Sequence, residues 1–346
     1  MRLTWIKLEG LYDRFNHTVE LKEDGLTIIH SPNGLGKSTL VRMICLAFGG
    51  RWDELQSIPF ERLEFGFDEE RKLVFLMDER LEVKLIGAGD NIPMSRDEVE
   101  SMQEVLYLGP QRLFLEEQDG RFVSALDAYS ERVVEMFREF KEAALRIWET
   151  NKDVQCPTDF TSDPHFKLRD IWARLTMIDD AGLMPELPRE AGRPDIMNEE
   201  PSSFKPIHMS ELFRLSQVAD CLFPLAESVV ALTDMINPML FRKTMTLDSS
   251  KGFNVILDDG RSIDPSMLSS GEKQLLLMLY SLMFEAVPGG VVIIDEPEIS
   301  LHITWQQCIA SLFLSIARTR GLQLLMATHS PQVVHDRWDL TVELVV

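Results

Sequence analysis

The sequence has few cysteines, and none of them is placed to staple or ligate. Cys45, Cys156, Cys221 and Cys308 are scattered, with no Cys-x-x-Cys pair and no histidines at ligand spacing. That spacing argues against a disulfide framework or a zinc site; Cys45 and Cys308 fall in apolar helical patterns and read as core. Runs of lysine and arginine are also missing, and the net charge is -21. Phosphate neutralisation supplies most non-specific affinity for nucleic acid, so generic binders are basic. This chain should repel a duplex unless a local basic patch or a partner intervenes, and its acidity also favours solubility. No apolar run reaches the ~20 residues of a membrane span. Met1-Arg2-Leu3-Thr4-Trp5-Ile6 opens in a strand pattern, without the apolar stretch of a signal peptide. A soluble cytoplasmic protein is the expectation.

What is present is enough for a substantial core: 346 residues, 45% of them hydrophobic. Strands are expected within 2–29, as antiparallel runs over 61–87, and at Val105–Leu108. From 126 the pattern turns helical, over 126–150, 165–178 and 209–236, with a stripe of Val133, Met136, Phe137, Phe140, Ala144 and Ile147 at helical spacing. The Pro- and Glu-rich stretch Met184–Pro206 is too long for an ordinary connector and reads as a mobile loop. Strands return at 239–247 and 253–258, then alternate with helices to the end. Alternation of this kind predicts an α/β fold with a mixed, largely parallel sheet, an antiparallel β lobe and a compact helical insertion. The expected domains are 1–125, 126–238 and 239–346.

Four motifs carry chemistry. Ser31-Pro32-Asn33-Gly34-Leu35-Gly36-Lys37-Ser38-Thr39 lies between a buried strand and an apolar helix. This is the context in which a glycine loop presents backbone N–H groups to the phosphates of ATP. Lys37 would reach the β- and γ-phosphates and Ser38 would ligate Mg²⁺; Ser31 stands where the pattern has glycine. Val291–Ile294 is a buried strand that delivers Asp295 and Glu296 at its C-terminal end, Asp295 for the Mg²⁺ shell and Glu296 to deprotonate the attacking water. Leu268-Ser269-Ser270-Gly271-Glu272-Lys273-Gln274 precedes an apolar helix. It reads equally as an anion site and as a capped helix start with Glu three residues after Ser. Leu324–Ala327 ends in Thr328-His329-Ser330-Pro331, where His329 could contact the γ-phosphate or the water.

Taken together and in this order, the motifs resemble the ATP-binding-cassette ATPases of the SMC, RecF and OLD type. The resemblance covers roughly residues 1–125 and 240–346 and leaves the helical insertion out. The ending Glu298-Ile299-Ser300-Leu301-His302 looks like OLD-family nucleases and the related ATPases of bacterial antiphage systems such as Septu and PARIS. The sequence ends soon after His329, leaving no room for the Toprim nuclease domain of OLD proteins, so a nuclease or other effector is expected on a separate chain.

The resemblance implies ATP and Mg²⁺ as ligands. It assigns Asn33, Gly34, Leu35, Gly36, Lys37, Ser38 and Thr39 to the phosphate loop, and Ser269, Ser270, Gly271 and Glu272 to the signature motif. It makes Asp295 and Glu296 the Mg²⁺/base pair and His329 the switch histidine. Gln111, after the Val105–Leu108 strand, is the candidate Mg²⁺-sensing glutamine; Gln103 precedes that strand and fits less well. Arg14 either approaches the nucleotide or is a surface arginine. The family further implies a head-to-tail ATP sandwich between two copies, or a higher homo-oligomer. The expected function is an ATPase that dimerises around ATP and regulates or scaffolds a separate effector, such as a nuclease, in antiphage defence, touching nucleic acid only indirectly or through a local patch and no membrane. Rival readings are a RecF-like repair ATPase acting on DNA directly and an ATP-bound scaffold with little turnover; a transporter motor ranks last.

Overall fold

The computed structural model describes residues 1–32, 34–87, 90–116, 122–151, 157, 160, 164–187 and 206–344. Asn33 and Cys156 lie outside the described residues, as does 188–205, most of the stretch expected to be a mobile loop. The chain forms two compact units, one of Met1–Leu113 with Ser269–Val346 and one of Phe114–Leu268. The sequence pattern places its divisions near 125 and 238; contacts divide the chain at these other positions, so the strands flanking the helices belong with the helical unit.

In chain order the first unit holds β1 (Leu3–Leu11), β2 (Phe15–Glu20), β3 (Leu26–His30), α1 (Lys37–Phe48), the short α2 (Trp52–Leu55), β4 (Arg62–Phe67), β5 (Lys72–Met77), β6 (Leu81–Gly87), β7 (Asp90–Pro93), α3 (Arg96–Met102) and β8 (Val105–Leu108). The second holds β9 (Phe114–Glu116), β10 (Phe122–Ser124), α4 (Ala125–Thr150), α5 (Pro164–Asp180), α6 (Pro206–Ile236), β11 (Lys243–Asp248), β12 (Gly252–Leu257) and β13 (Ser262–Ile263). The first unit resumes with α7 (Ser270–Tyr280), β14 (Val291–Asp295), α8 (Ile303–Arg320), β15 (Gln323–Thr328), α9 (Pro331–Val334) and β16 (Thr341–Glu343).

Two sheets build the first unit. One is antiparallel, in the order β2-β1-β4-β5-β6-β7; the other is wholly parallel, in the order β16-β3-β15-β14-β8. Every residue of β14 and β15 is buried, which is why both read as continuous apolar runs rather than alternating ones. Helix α1 contributes Leu40, Val41 and Ile44 to one core with Ile293 and Leu325 of the parallel sheet and Phe65 and Phe75 of the antiparallel sheet. Because the parallel strands share a direction, their C-terminal ends share one edge, and a crevice there is where such sheets bind ligands.

Cys45 is half-buried against this core, and burial pushes its thiol up to about 12. Cys308 is exposed, contrary to its reading as core. The buried face of α8 is Ile309, Ala310, Phe313, Leu314, Ile316 and Ala317, and Cys308 falls beside that stripe, its thiol donating to Trp305 O at 3.3 Å.

In the second unit the stripe on α4 is buried at Val133, Phe137, Ala144 and Trp148, while Met136, Phe140 and Ile147 are half-buried. By length and composition alone Ser210–Met239 could cross a membrane, although polar residues interrupt its apolar run. Three of those polar residues are partnered by neighbouring helices. Arg214 is buried with its guanidinium 3.7 Å from the centroid of the Trp148 ring, Gln217 accepts from Asn151 at 2.8 Å, and Asp220 pairs with Arg174. These contacts bind α6 to α4 and α5 as a core helix of its unit.

Candidate nucleotide site

The loop after β3 is shaped by Gly36, which caps α1 at φ 83°. A left-handed residue there favours glycine, and a Cβ would also lie 2.8 Å from Leu11 Cδ2. The loop is held from behind by His17 on β2, which is buried and bonded to Leu35 O at 2.7 Å. A carbonyl only accepts, so His17 Nε2 carries the proton.

Lys37 opens α1 and is buried. Its ammonium lies 2.6 Å from Ser31 O, 3.0 Å from Ser31 Oγ, 3.2 Å from Pro32 O and 3.0 Å from His329 Nδ1. Burial lowers its pKa, opposed by Asp295, Glu296 and Glu298 nearby. Ser31, the position that departs from the glycine pattern, is therefore a ligand of the loop lysine. For Lys37 to meet a phosphate it must exchange some of these contacts. Removing the hydroxyl in Ser31→Ala leaves the backbone carbonyls in place and is expected to tighten ATP binding by about three- to tenfold, since a hydrogen bond to a charged group is worth roughly 1.5–3 kcal/mol and the remaining acceptors recover part of it. Titration with a fluorescent ATP analogue reads this directly; weaker binding would make Ser31 a nucleotide ligand instead.

The carboxylates arrive from β14. Asp295 is buried and accepts a hydrogen bond from the Ser38 hydroxyl. Burial, reinforced by Glu296, pushes its carboxyl up to about 6, while Ser38 pulls the other way. Glu296 is half-buried and left-handed, at φ 50°. Its N–H donates to Ala327 O at 2.9 Å, so the residue is fixed to the end of β15 as well. A non-glycine residue at such a φ costs roughly 1–3 kcal/mol and persists where the surroundings dictate it. His329 follows β15, and the Lys37 ammonium donates to its Nδ1. The neutral ring therefore carries its proton on Nε2, a donor suited to a phosphate oxygen.

Thus Ser31, Lys37, Ser38, Asp295, Glu296 and His329 converge at the C-terminal edge of the parallel sheet. Ser38 Oγ and the Asp295 carboxylate form a pair of hard oxygen donors. This fits Mg²⁺, which takes one or two protein oxygens and completes its octahedron with phosphate and water.

The signature residues are placed differently. Ser269 caps α7 in a capping box: its N–H donates to Glu272 Oε2 at 2.8 Å and its hydroxyl accepts from Glu272 N at 3.3 Å. Ser269 and Ser270 are exposed, whereas Gly271 and Glu272 are buried. Gly271 is required by proximity, because a Cβ there would sit 2.4 Å from Ser300 O. Gly271→Ala must push α7 away from the segment after β14, at a cost of about 1–3 kcal/mol as for other overpacked sites. Urea unfolding of the variant checks this, with an unchanged midpoint as the contrary result.

Gln111 is exposed in the turn after β8, at the edge where the site lies. Its neighbour Arg112 reaches inward. Arg112 is buried and donates to Gly109 O (2.8 Å), Gln274 Oε1 (3.2 Å), Asp295 O (2.8 Å) and Glu296 O (3.1 Å). It links the β8 turn, α7 and the carboxylate-bearing end of β14. Burial brings its guanidinium down to about 10, with Asp295 opposing, so it stays charged at neutral pH. Gln103 donates to Gly289 O at 3.3 Å, before the N-terminal end of β14 and away from this edge. Arg14 is exposed in the turn after β1.

Among curated proteins, residues of this chain align with the lipoprotein-releasing system ATP-binding protein LolD of Rickettsia prowazekii (strain Madrid E), 28% identical over 137 residues, which is 38% of this chain and 60% of that protein. The uncharacterized ABC transporter ATP-binding protein YbbA of Escherichia coli K12 is 31% identical over 128 residues, 36% of this chain and 54% of that protein. The chain thus spans less than two thirds of either. Similar solved structures include an SMC head bound to the C-terminal winged-helix domain of ScpA, at 14% identity, TM-score 0.49 and coverage of 96% and 91% of the two chains. The SMC head domain of Thermotoga maritima is also 14% identical, with TM-score 0.48 and coverage of 99% and 94%. Residues 10–144 match a family described as an AAA domain. Residues 139–335, more than half of the sequence, match the family described as "AAA domain, putative AbiEii toxin, Type IV TA system". With more than half of its residues in this match, the chain belongs to that family of AAA-domain ATPases.

Proposed function

We propose that this protein binds ATP with Mg²⁺, closes as a homodimer around it and hydrolyses it to control a separate effector, such as a nuclease, in bacterial antiphage defence. The observation that carries the reading is the contact of Lys37 with His329 beside the Ser38–Asp295 pair, which gathers phosphate-binding and carboxylate groups at one sheet edge. In this reading Lys37 exchanges its loop carbonyls for the β- and γ-phosphates, and the loop amides from Gly34 to Thr39 hold the remaining phosphate oxygens. Glu296 orients the attacking water and takes its proton, and His329 Nε2–H donates to the γ-phosphate. Ser38 and Asp295 would hold Mg²⁺, with Gln111 as its sensor, and the ion would supply neutralisation of phosphate charge. The exposed Ser269 and Ser270 of a second copy complete the site over the γ-phosphate, so hydrolysis loosens the dimer.

The matched family's description is of a component of a type IV TA system, which supports action alongside another component. The OLD-like ending at His302 supports the defence role. The net charge of -21 favours an indirect route to nucleic acid over a RecF-like one. The test is light scattering of the purified protein in ATP-Mg²⁺ and in ADP, with phosphate release measured alongside. An ATP-dependent dimer that releases phosphate is expected. A monomer without phosphate release would sink the reading; salt-sensitive duplex binding by the lone protein would move it to DNA repair, and stable assembly without turnover to a scaffold.

A further inference from the structure

We infer that Glu298 is a positioning residue for ATP hydrolysis, acting through His329. Its carboxylate oxygen Oε1 accepts from Thr328 Oγ1 at 2.7 Å, His329 N at 3.0 Å and Ser330 N at 3.2 Å. Consecutive backbone N–H groups of this kind form an anion-binding concavity, and here the chain fills it with its own carboxylate. The same corner is tied a second time: Ser330 Oγ donates to Gln306 Oε1 at 2.9 Å, and Gln306 Nε2 donates to Leu301 O at 3.1 Å. Leu301 N in turn donates to Glu298 O at 3.0 Å.

The backbone of His329 is thus held by Glu298 while its ring is held by Lys37, 3.0 Å from Nδ1. Both restraints bear on one side chain, and that side chain must present Nε2–H to a phosphate oxygen. The other carboxylate oxygen, Oε2, is buried and has no hydrogen-bond partner among the described residues. Among the described residues no cation lies at hydrogen-bond distance from Glu298; one acceptor oxygen meets three donors. Glutamine keeps that oxygen and alanine removes it, so the two variants separate position from charge.

The inference rests on the ATPase reading, and its test separates the two. Steady-state turnover and the dissociation constant of a fluorescent ATP analogue are measured for the parent, Glu298→Ala, Glu298→Gln, His329→Ala and the Glu298→Ala/His329→Ala double variant. Glu298→Ala is expected to lower kcat by about ten- to a hundredfold with nucleotide affinity within about threefold, as displacement of a catalytic donor by an ångström does. Glu298→Gln should recover most of kcat. In the His329→Ala background, Glu298→Ala should cost less than about twofold, since groups acting as one unit are not additive. An additive loss in the double variant, or a Gln variant as impaired as Ala, overturns the proposal. Thr328→Val, which removes one donor at nearly constant volume, carries the same cycle if Glu298→Ala does not fold.

Amide hydrogen exchange over 328–330 gives a readout independent of turnover. It should quicken in Glu298→Ala and hold in Glu298→Gln, and unchanged exchange in the Ala variant overturns the contact itself. A parent that releases no phosphate fails the ATPase reading alone, and the exchange result still decides the clamp.

Discussion

Glu296→Gln is expected to lower ATP turnover by about 10²–10⁴-fold, the range for losing a general base, while ATP stays bound and the dimer persists. The substitution is close to isosteric, and the geometry explains why little else should change. The Glu296 backbone is set by its N–H to Ala327 O and by Arg112 donating to its carbonyl, 2.9 and 3.1 Å respectively. Neither contact involves the carboxylate, and parent and variant alike must hold φ 50°. Unfolding stability should therefore be nearly unaltered, whereas loss of a negative charge beside Asp295 relieves part of the repulsion that helps raise Asp295 to about 6. ATP should consequently bind no worse than in the parent. Single-turnover phosphate release and light scattering in ATP-Mg²⁺ check both halves. Turnover within a few-fold of the parent would remove Glu296 from its role.

The site was legible where its signals are local. A glycine loop between a buried strand and an apolar helix, and a strand of Val291–Ile294 ending in two acids, announce themselves within about ten residues of sequence, because backbone geometry and burial on both faces constrain neighbouring positions. The long helices α4 and α6 were legible for a similar reason, since a stripe repeats over many turns. Short elements such as α2, β7, β9 and β10 carry too few residues for any periodicity to emerge. Arg112 was illegible for a different reason. The resemblance makes Gln111 the candidate Mg²⁺-sensing residue after β8, but which of two adjacent polar residues turns inward is decided by partners 162 to 184 positions away, on α7 and at the end of β14. Glu298 stood inside a recognised motif, yet its task depends on three donors from the end of another strand. The Ser269 motif keeps both of its sequence readings: its side chain caps α7, as any N-cap serine would, and its exposure leaves it open to a second copy.

Lys37→Ala is expected to weaken ATP binding by about 10- to 100-fold, the consequence of losing one hydrogen bond between charged groups worth roughly 1.5–3 kcal/mol. The loss goes further than a missing contact. Lys37 offsets Asp295, Glu296 and Glu298 together with Arg112, so its removal leaves those acids less compensated, repelling one another and the incoming phosphates. It also frees His329 Nδ1, which then no longer fixes the tautomer that puts the proton on Nε2. Turnover should fall by more than affinity does. The sharper test is the pair with Ser31. If Ser31→Ala tightens ATP binding because its hydroxyl competes for the ammonium at 3.0 Å, then the same substitution must be silent once the ammonium is gone. A double-mutant cycle on nucleotide affinity reads this: Ser31→Ala is expected to change the dissociation constant several-fold with Lys37 present and to leave it unchanged in Lys37→Ala. An equal gain in both backgrounds would mean that Ser31 acts on the nucleotide through the loop backbone and not through the lysine.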